Sequence, residues 1–476
     1  MAQPGLRVMF SAQYATRSFA IAGATMLAAV NVLIASTVLP SAVKDIGGQN
    51  LYAWSTTLYV VASIIGASIA PRMLARSGAL FAYRIAILVF FLGALVCTIA
   101  PTMEILLGGR TVQGFGGGFM AALTYAVIRQ AFPQPLWPRA FAITNAMWGI
   151  ATVAGPTIGG VFSTLGVWRL AFGAVLPIAV ILLVLFERSL RGIERQDMTV
   201  TRFPALQLGL LAGAVLAVSA GSISSAVLSN IAGIIAAALL LAGLVAVERR
   251  SEHKLMPTGS FSLASPIGAA MATMVLLIIG VSAEIFAPYF LQELHGLSPL
   301  GAAYMVALLS AGWTLSALYT AGLNGRQRRI AIQGSPVVML AGLIVLTITM
   351  PIENASLGAT IATGVGLTLL GIGIGIAFSH LLTQILANAV EREQAGAASA
   401  MTTVQLVATA FGAAFGGVIT NLTDYSNLAS GGTALAATWY YGLFCLAPLG
   451  ALFVARRVVR HLTTADTHEP VPAHGA

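Results

Sequence analysis

Long apolar runs recur along this chain with almost no charge to interrupt them, at 85–100, 175–186, 231–247 and 337–350 among others. A stretch of about 20 such residues crosses a bilayer as a helix, because hydrocarbon offers the backbone no outside hydrogen-bond partners. Charged residues are 8% of the 476, against about 25% in soluble domains. That is too few to cover a soluble protein of this length, so an all-α membrane protein is expected.

Fourteen spans with both termini in the cytosol fit the pattern, near 18–40, 51–70, 82–101, 104–128, 140–163, 170–187, 203–220, 226–247, 264–291, 299–321, 331–350, 356–386, 396–420 and 433–455. With that topology, of the 24 Lys and Arg only Lys44 and Arg169 fall outside the cytosolic segments, and Arg110 falls inside a span. Lys and Arg mark the cytosolic side, so the net charge of +9 reports topology, and no nucleic acid partner is needed. Cys97 and Cys445 lie in separate apolar spans and read as free thiols, with neither a disulfide nor a CxxC metal site. The first 20 residues lack a cleavage site after a short apolar core, so no signal peptide is expected to be removed.

A glycine frame repeats. Shifted by 257 positions, Gly114, Gly116 and Gly118 fall on Gly371, Gly373 and Gly375, while Gly155, Gly159 and Gly160 fall on Gly412, Gly416 and Gly417. A shift of 248 sets Pro40 on Pro288, Asp45 on Glu293 and Gly48 on Gly296. Two parallel six-helix halves put a substrate site between them near the bilayer midplane. The expected organisation is a six-helix bundle over 1–187, a cytosolic linker with two additional spans over 188–262, a second bundle over 263–462 and a disordered tail over 463–476. The two additional spans match neither repeat and read as peripheral helices outside the translocation path.

Residues 106–118 read LLGGRTVQGFGGG, and 155–160 read GPTIGG. The first resembles the fourth-helix motif of the drug/proton antiporters of the major facilitator superfamily, and the second resembles the fifth-helix motif of its exporters. Residues 31–40 (NVLIASTVLP), the Trp168-Arg169 pair and the inserted helix pair are also similar to its fourteen-helix branch. The resemblance spans about residues 20–460. It implies a major facilitator fold of two six-helix bundles plus two linker helices, a small-molecule substrate, protons as the coupling ion and a multi-pass site in the inner membrane. Two positions depart from the pattern. Asn31 stands where family members often carry an acid, and of the loop motif after the second helix only Arg76 and Gly78 remain, with Pro71 in place of its opening glycine.

Ionisable side chains inside a membrane are costly and mark function. Three lie well inside the expected spans: Arg110, Glu284 and His380. Arg110 is a permanent cation, either tuning a carboxylate or clamping helices, and Gln113 one turn on would orient it. The second repeat has Leu367 and Leu370 at these positions, and the first has Ser36 where Glu284 stands, so both charges break the repeat. Glu284 either carries the coupling proton or makes a structural hydrogen bond. His380 either switches protonation or stays a neutral interhelical residue. Gly155, Gly159 and Gly160 read as tight packing, with Pro156 a hinge that interrupts the helix. Asn31, Gln113, Tyr125, Asn145, Trp148 and Tyr289 are cavity candidates. The glycine run 114–118 has neither the strand nor the lysine of a phosphate loop, so ATP chemistry is not expected. No catalytic residue, metal or cofactor is expected, and a monomer is the default. Proton-driven export of amphipathic molecules is the leading expectation. Export of one specific metabolite, sugar or lipid, with or without proton coupling, and a non-transporting membrane enzyme or sensor are the alternatives.

Overall fold

The computed structural model describes residues 6–133, 136–190, 204–223, 226–251, 255–389, 394–423, 425, 427 and 431–468. Among them all regular structure is helical. The first half comprises α1 (Ala15–Ile46), α2 (Tyr52–Ile99), α3 (Met103–Ala131), α4 (Trp137–Thr164), α5 (Arg169–Gly173) and α6 (Val175–Ser189). Two further helices follow, α7 (Ala205–Ser222) and α8 (Val227–Arg250). The second half holds α9 (Pro266–Val281), α10 (Ala287–Glu293), α11 (Pro299–Thr320), α12 (Gly325–Thr349), α13 (Leu357–Asn388), α14 (Gln394–Leu422), α15 (Gly432–Phe444) and α16 (Leu446–His468). Among the described residues, 11 helical stretches are long and apolar enough to cross a membrane.

Local chemistry sets several helix ends. Ser298 accepts a hydrogen bond from the Gly301 amide at 3.1 Å, and Ser356 one from Ala359 at 3.3 Å; side-chain oxygens at this position satisfy amides that have no partner within the helix. Proline opens α9, α10 and α11, where its missing N–H costs nothing. The long element α2 is two helices joined at Gly78, whose backbone (φ 79°, ψ 168°) is non-helical. Side chains disfavour that conformation, which accounts for the glycine of the loop motif. Arg76 beside it is exposed.

Glycine positions decide how the helices pair. A Cβ at Gly114 or Gly118 would collide with the α2 backbone at Tyr59 or Ser63, and one at Gly116 would meet Phe90 in the second part of α2. The second half repeats this: Gly371 and Gly375 abut Leu309 and Trp313 of α11, and Gly373 abuts Met339 of α12. The frame read from the sequence is therefore a frame of backbone contacts. The halves meet along two seams, α2 against α14 and α4 against α11, and α7 packs on both α2 and α14 while α8 packs on α7.

Three local expectations are corrected. Helix α4 runs unbroken through Gly155 and Pro156; Pro156 removes one backbone bond without ending the helix, because packing of Gly155 and Gly159 on α1 holds both sides. The ninth span is broken instead: α9 gives way to a 3-10 turn over Ser282–Phe286 before α10 begins. Finally, α16 continues past the expected start of the tail to His468, held where Arg329 Nη1 donates to Thr463 Oγ1 at 2.9 Å.

The backbone contact at Gly114 makes a direct prediction. Gly114→Val overpacks the α2–α3 interface and lowers stability by about 1–3 kcal/mol, read as a lower thermal midpoint of the detergent-solubilised protein. Gly108→Val, with open space at its Cβ, leaves the midpoint unchanged. Equal midpoints for the two variants contradict the contact.

Candidate functional site

The closeness of α2 and α3 lays the Tyr59 ring over Arg110, with the guanidinium carbon 4.1 Å from the ring centroid. Arg110 Nη1 donates to Gln113 Oε1 at 2.6 Å, one turn along α3. Ser63 Oγ donates to the Gly114 carbonyl at 2.9 Å and ties the two helices beside them. Asn31 of α1 completes the cluster next to Tyr59. Asn31 and Gln113 are 0% exposed and Arg110 3%. Arg110 Nε, Gln113 Nε2 and both amide atoms of Asn31 are buried without a hydrogen bond of normal geometry.

No ion pair among the described residues involves Arg110. Its charge is held by a ring quadrupole, worth about 0.5–2 kcal/mol, and by one amide. A cation so placed, with unmet donors around it, is suited to hold an acceptor atom or water. Sequence reasoning named Arg110, Gln113 and Asn31 but not Tyr59, which only the glycine contact brings into place.

Glu284 lies elsewhere, on the 3-10 turn between α9 and α10, partly buried and within electrostatic reach of Tyr440 and Tyr441. Gly412 of α14 packs against Ser282 on that turn, and Gly416 against the Tyr440 ring. Tyr440 Oη donates to the Ser282 carbonyl at 3.4 Å. Arg110 and Glu284 therefore belong to different halves, and no ion pair among the described residues joins them.

The turn also carries Phe286 into an aromatic cluster between the halves. Tyr52 of α2 inserts against Phe286 (4.5 Å between centroids) and Tyr289 (5.7 Å). Tyr425 closes over both at 5.5 and 5.0 Å, and Tyr440 backs Phe286 at 5.3 Å. Around this plug, Tyr425 Oη donates to the Gln49 carbonyl at 2.5 Å, and Lys44 Nζ pairs with Glu293 at 2.5 Å. Asn421 Nδ2 donates to the carbonyls of Asn50 (3.0 Å) and Ser222 (2.7 Å). These contacts join the two halves at one end of the molecule, hereafter the sealed end. Nearby, Asp45 accepts from Arg169 Nη1 at 2.6 Å and Trp168 Nε1 at 3.1 Å, which fixes the end of α1 to α5 within its own half.

Tyr289, expected to line a cavity, is instead a buried member of this plug. His380, expected in the middle of its span, faces the Thr320 carbonyl and Arg328 near the α11–α12 turn, remote from the plug. Trp148 is exposed on α4. The side chains of Tyr125 and Asn145 lie outside the described residues. Gly155 and Gly159 pack on Leu33 and Thr37 of α1, whereas Gly160 seats against Leu300 of α11 across the seam. The plug carried no periodic signal; Pro288, opening α10, was the one residue marking a break there. Among the described residues no cluster of His, Cys, Asp and Glu is suited to a metal.

Tyr52 is the first half's contribution to the plug. Aromatic pairs add about 0.5–1.5 kcal/mol each beyond area, so Tyr52→Ala opens the seal roughly tenfold more often. The readout is labelling of an engineered Gln292→Cys, buried on α10 in the sealed structure, by a membrane-impermeant maleimide; an unchanged labelling rate contradicts the plug.

The family model described as Major Facilitator Superfamily matches residues 21–413. A protein named "Probable multidrug-efflux transporter Rv1634" from Mycobacterium tuberculosis is 36% identical over 440 residues, covering 91% of this chain and 92% of that one. "Multidrug efflux pump SdrM" of Staphylococcus aureus is 25% identical over 355 residues, covering 74% of this chain and 78% of its own. Among solved structures, the POT family transporter PepTSo superposes with a TM-score of 0.67 at 15% identity, covering 93% of this chain and 98% of that one, a likeness of fold. With paired glycine frames, a seal between two helical halves and these relatives, the chain belongs to the major facilitator superfamily of membrane transporters.

Proposed function

We propose that the protein exports small amphipathic molecules by proton antiport with alternating access. The observation that carries this is the position of Glu284: the same 3-10 turn holds this intramembrane carboxylate and delivers Phe286 to the seal. A change of charge at Glu284 therefore acts on the segment that closes one end. The relatives named as multidrug-efflux proteins support export.

In this reading the chain crosses the membrane fourteen times: α2 counts as two spans about Gly78, and α5–α6, α9–α10 and α15–α16 each count as one. Arg17, Arg84 and Arg329 sit at the end opposite the plug, and basic residues favour the cytosol. The sealed end then faces outward, the opposite end faces the cytosol, and both termini are cytosolic in the inner membrane. The bundles are 1–187 and 263–462, joined through 188–262, in a monomer. Arg110, with Tyr59, Gln113 and Asn31, forms the polar wall of the first half. It lies too far from Glu284 for a direct pair, so the two charges act through substrate or water between the halves.

Glu284→Gln keeps the size of the side chain and removes the titration. Efflux driven by a pH gradient in proteoliposomes falls on the order of tenfold or more, while counterflow exchange without a gradient persists. Undiminished gradient-driven transport removes Glu284 from the coupling. Transport by the wild-type chain that ignores an uncoupler favours the exporter of a specific metabolite, sugar or lipid, to which the amide at Asn31 in place of an acid and the reduced loop motif point.

A further inference from the structure

At the sealed end the two seams are counterparts. Gly160 of α4 meets Leu300 of α11, and Gly417 of α14 meets Ala53 of α2. Away from that end they differ. Over the α2–α14 seam lies α7, whose Leu208 and Val215 share one buried cluster with Tyr59 and Ile64 of α2 and Ala410 of α14. Leu406 and Phe411 of α14 pack on the same cluster. Among the described residues the inserted helices α7 and α8 pack on neither α4 nor α11; the helix that touches both of these is α1, within the bundles.

The α4–α11 seam also parts. Thr157 and Tyr304 hydrogen-bond across it at 2.7 Å, which identifies the stripe of each helix that faces the other. Residues 4, 7 and 11 positions away lie on the same helical stripe. On α4, going away from the sealed end, these are Val153, Ile150 and Ala146; on α11 they are Leu308, Ala311 and Leu315. All six are exposed, Val153 at 60% and Leu315 at 68%. Facing stripes that stay exposed on both helices mean that the helices diverge from Thr157 and Tyr304 onward. Neither stripe carries an ionisable side chain between 146 and 157 or between 304 and 315.

The geometry points to a one-sided lateral portal: we propose that substrate enters from the membrane between α4 and α11, while α7 walls off the equivalent route between α2 and α14. The occupant is a membrane-dissolved molecule, apolar or with a delocalised single charge, since nothing on the stripes would pair a compact ion and any such ion would lose its hydration there. This rests on the exporter reading, and it adds the route and the physical state of the substrate to it.

Ethidium uptake into inverted vesicles under a pH gradient is the test. Ile150→Arg and Leu315→Arg each raise the KM for ethidium about tenfold with the maximal rate within about twofold, because entry and not turnover is hindered. Leu239→Arg, on an exposed face of α8, leaves both values unchanged. Folded arginine variants with unaltered KM overturn the portal. A second measurement needs neither transport nor arginine. In a background with Cys97 and Cys445 replaced by serine, a bimane on Val153→Cys is quenched by nitroxide-bearing phospholipids at least about fivefold more strongly than one on Ala410→Cys. Equal quenching at the two positions overturns the portal. If the wild-type chain moves no ethidium, the exporter reading has failed in its own right, and the quenching ratio alone decides whether the seam opens to lipid.

Discussion

Backbone-to-backbone contact between paired helices is the constraint on which the other features depend. Hydrocarbon supplies no hydrophobic drive for helices to associate, so small residues that let backbones approach supply it through packing. At Tyr59–Gly114 and Ser63–Gly118, and again at Leu309–Gly371 and Trp313–Gly375, the gap is too small for any side chain. The same approach that binds α2 to α3 lowers the Tyr59 ring onto Arg110. Packing and the polar cluster are thus one structure, and the glycines that make the first make the second.

The second glycine set works between layers. Gly155 and Gly159 hold α4 on α1, and Gly412 and Gly416 hold α14 on the broken ninth span and the Tyr440 ring. The third member of each triplet, Gly160 or Gly417, turns outward to the other half. One motif therefore fixes a helix inside its bundle and brings it to the seam. At the seal the chemistry is mostly apolar: stacked rings fill the volume, and the ion pair and the carbonyl-directed bonds of Tyr425 and Asn421 surround them. Such a plug separates without stranding a buried charge, which would otherwise cost several kcal/mol, and this suits a contact that the proposed alternating access would break.

What could be read in the sequence follows from how far each signal reaches. Apolar runs and the placement of arginines are local, so the helical membrane architecture was legible, as was the repeat, because glycine is the one residue whose absence of side chain is itself the signal. Gln113 bonds Arg110 one turn along the same helix, a local spacing that the sequence displays, whereas the approach of Asn31 from α1 is a tertiary contact that it does not. The seal was not legible: Tyr52, Phe286, Tyr425 and Tyr440 come from distant segments, and aromatic residues are common enough in membrane helices that none stands out alone. Tyr289 was misplaced for that reason. Pro156 sits inside a helix clamped on both sides by glycine packing, whereas the break at 282–286 has its proline near the start of the following helix.

The departures from two-fold symmetry carry as much information as the symmetry. Arg110 has leucine as its counterpart and Glu284 has serine, so each half contributes one charge of its own sign. The inserted pair adds a third asymmetry. Gly221 and Gly233 let α7 and α8 cross closely, and Asn421 bonds both to Ser222 at the end of α7 and to Asn50 of the first half. A single amide on α14 thus ties the inserted helices and both bundles together at the seal. Helix α7 is consequently no passive linker, since opening the sealed end must break or carry along its contact with α14. A helix fastened to both sides of one seam restrains that seam more than its counterpart, so under the proposed alternating access the wider excursion falls to α4 and α11.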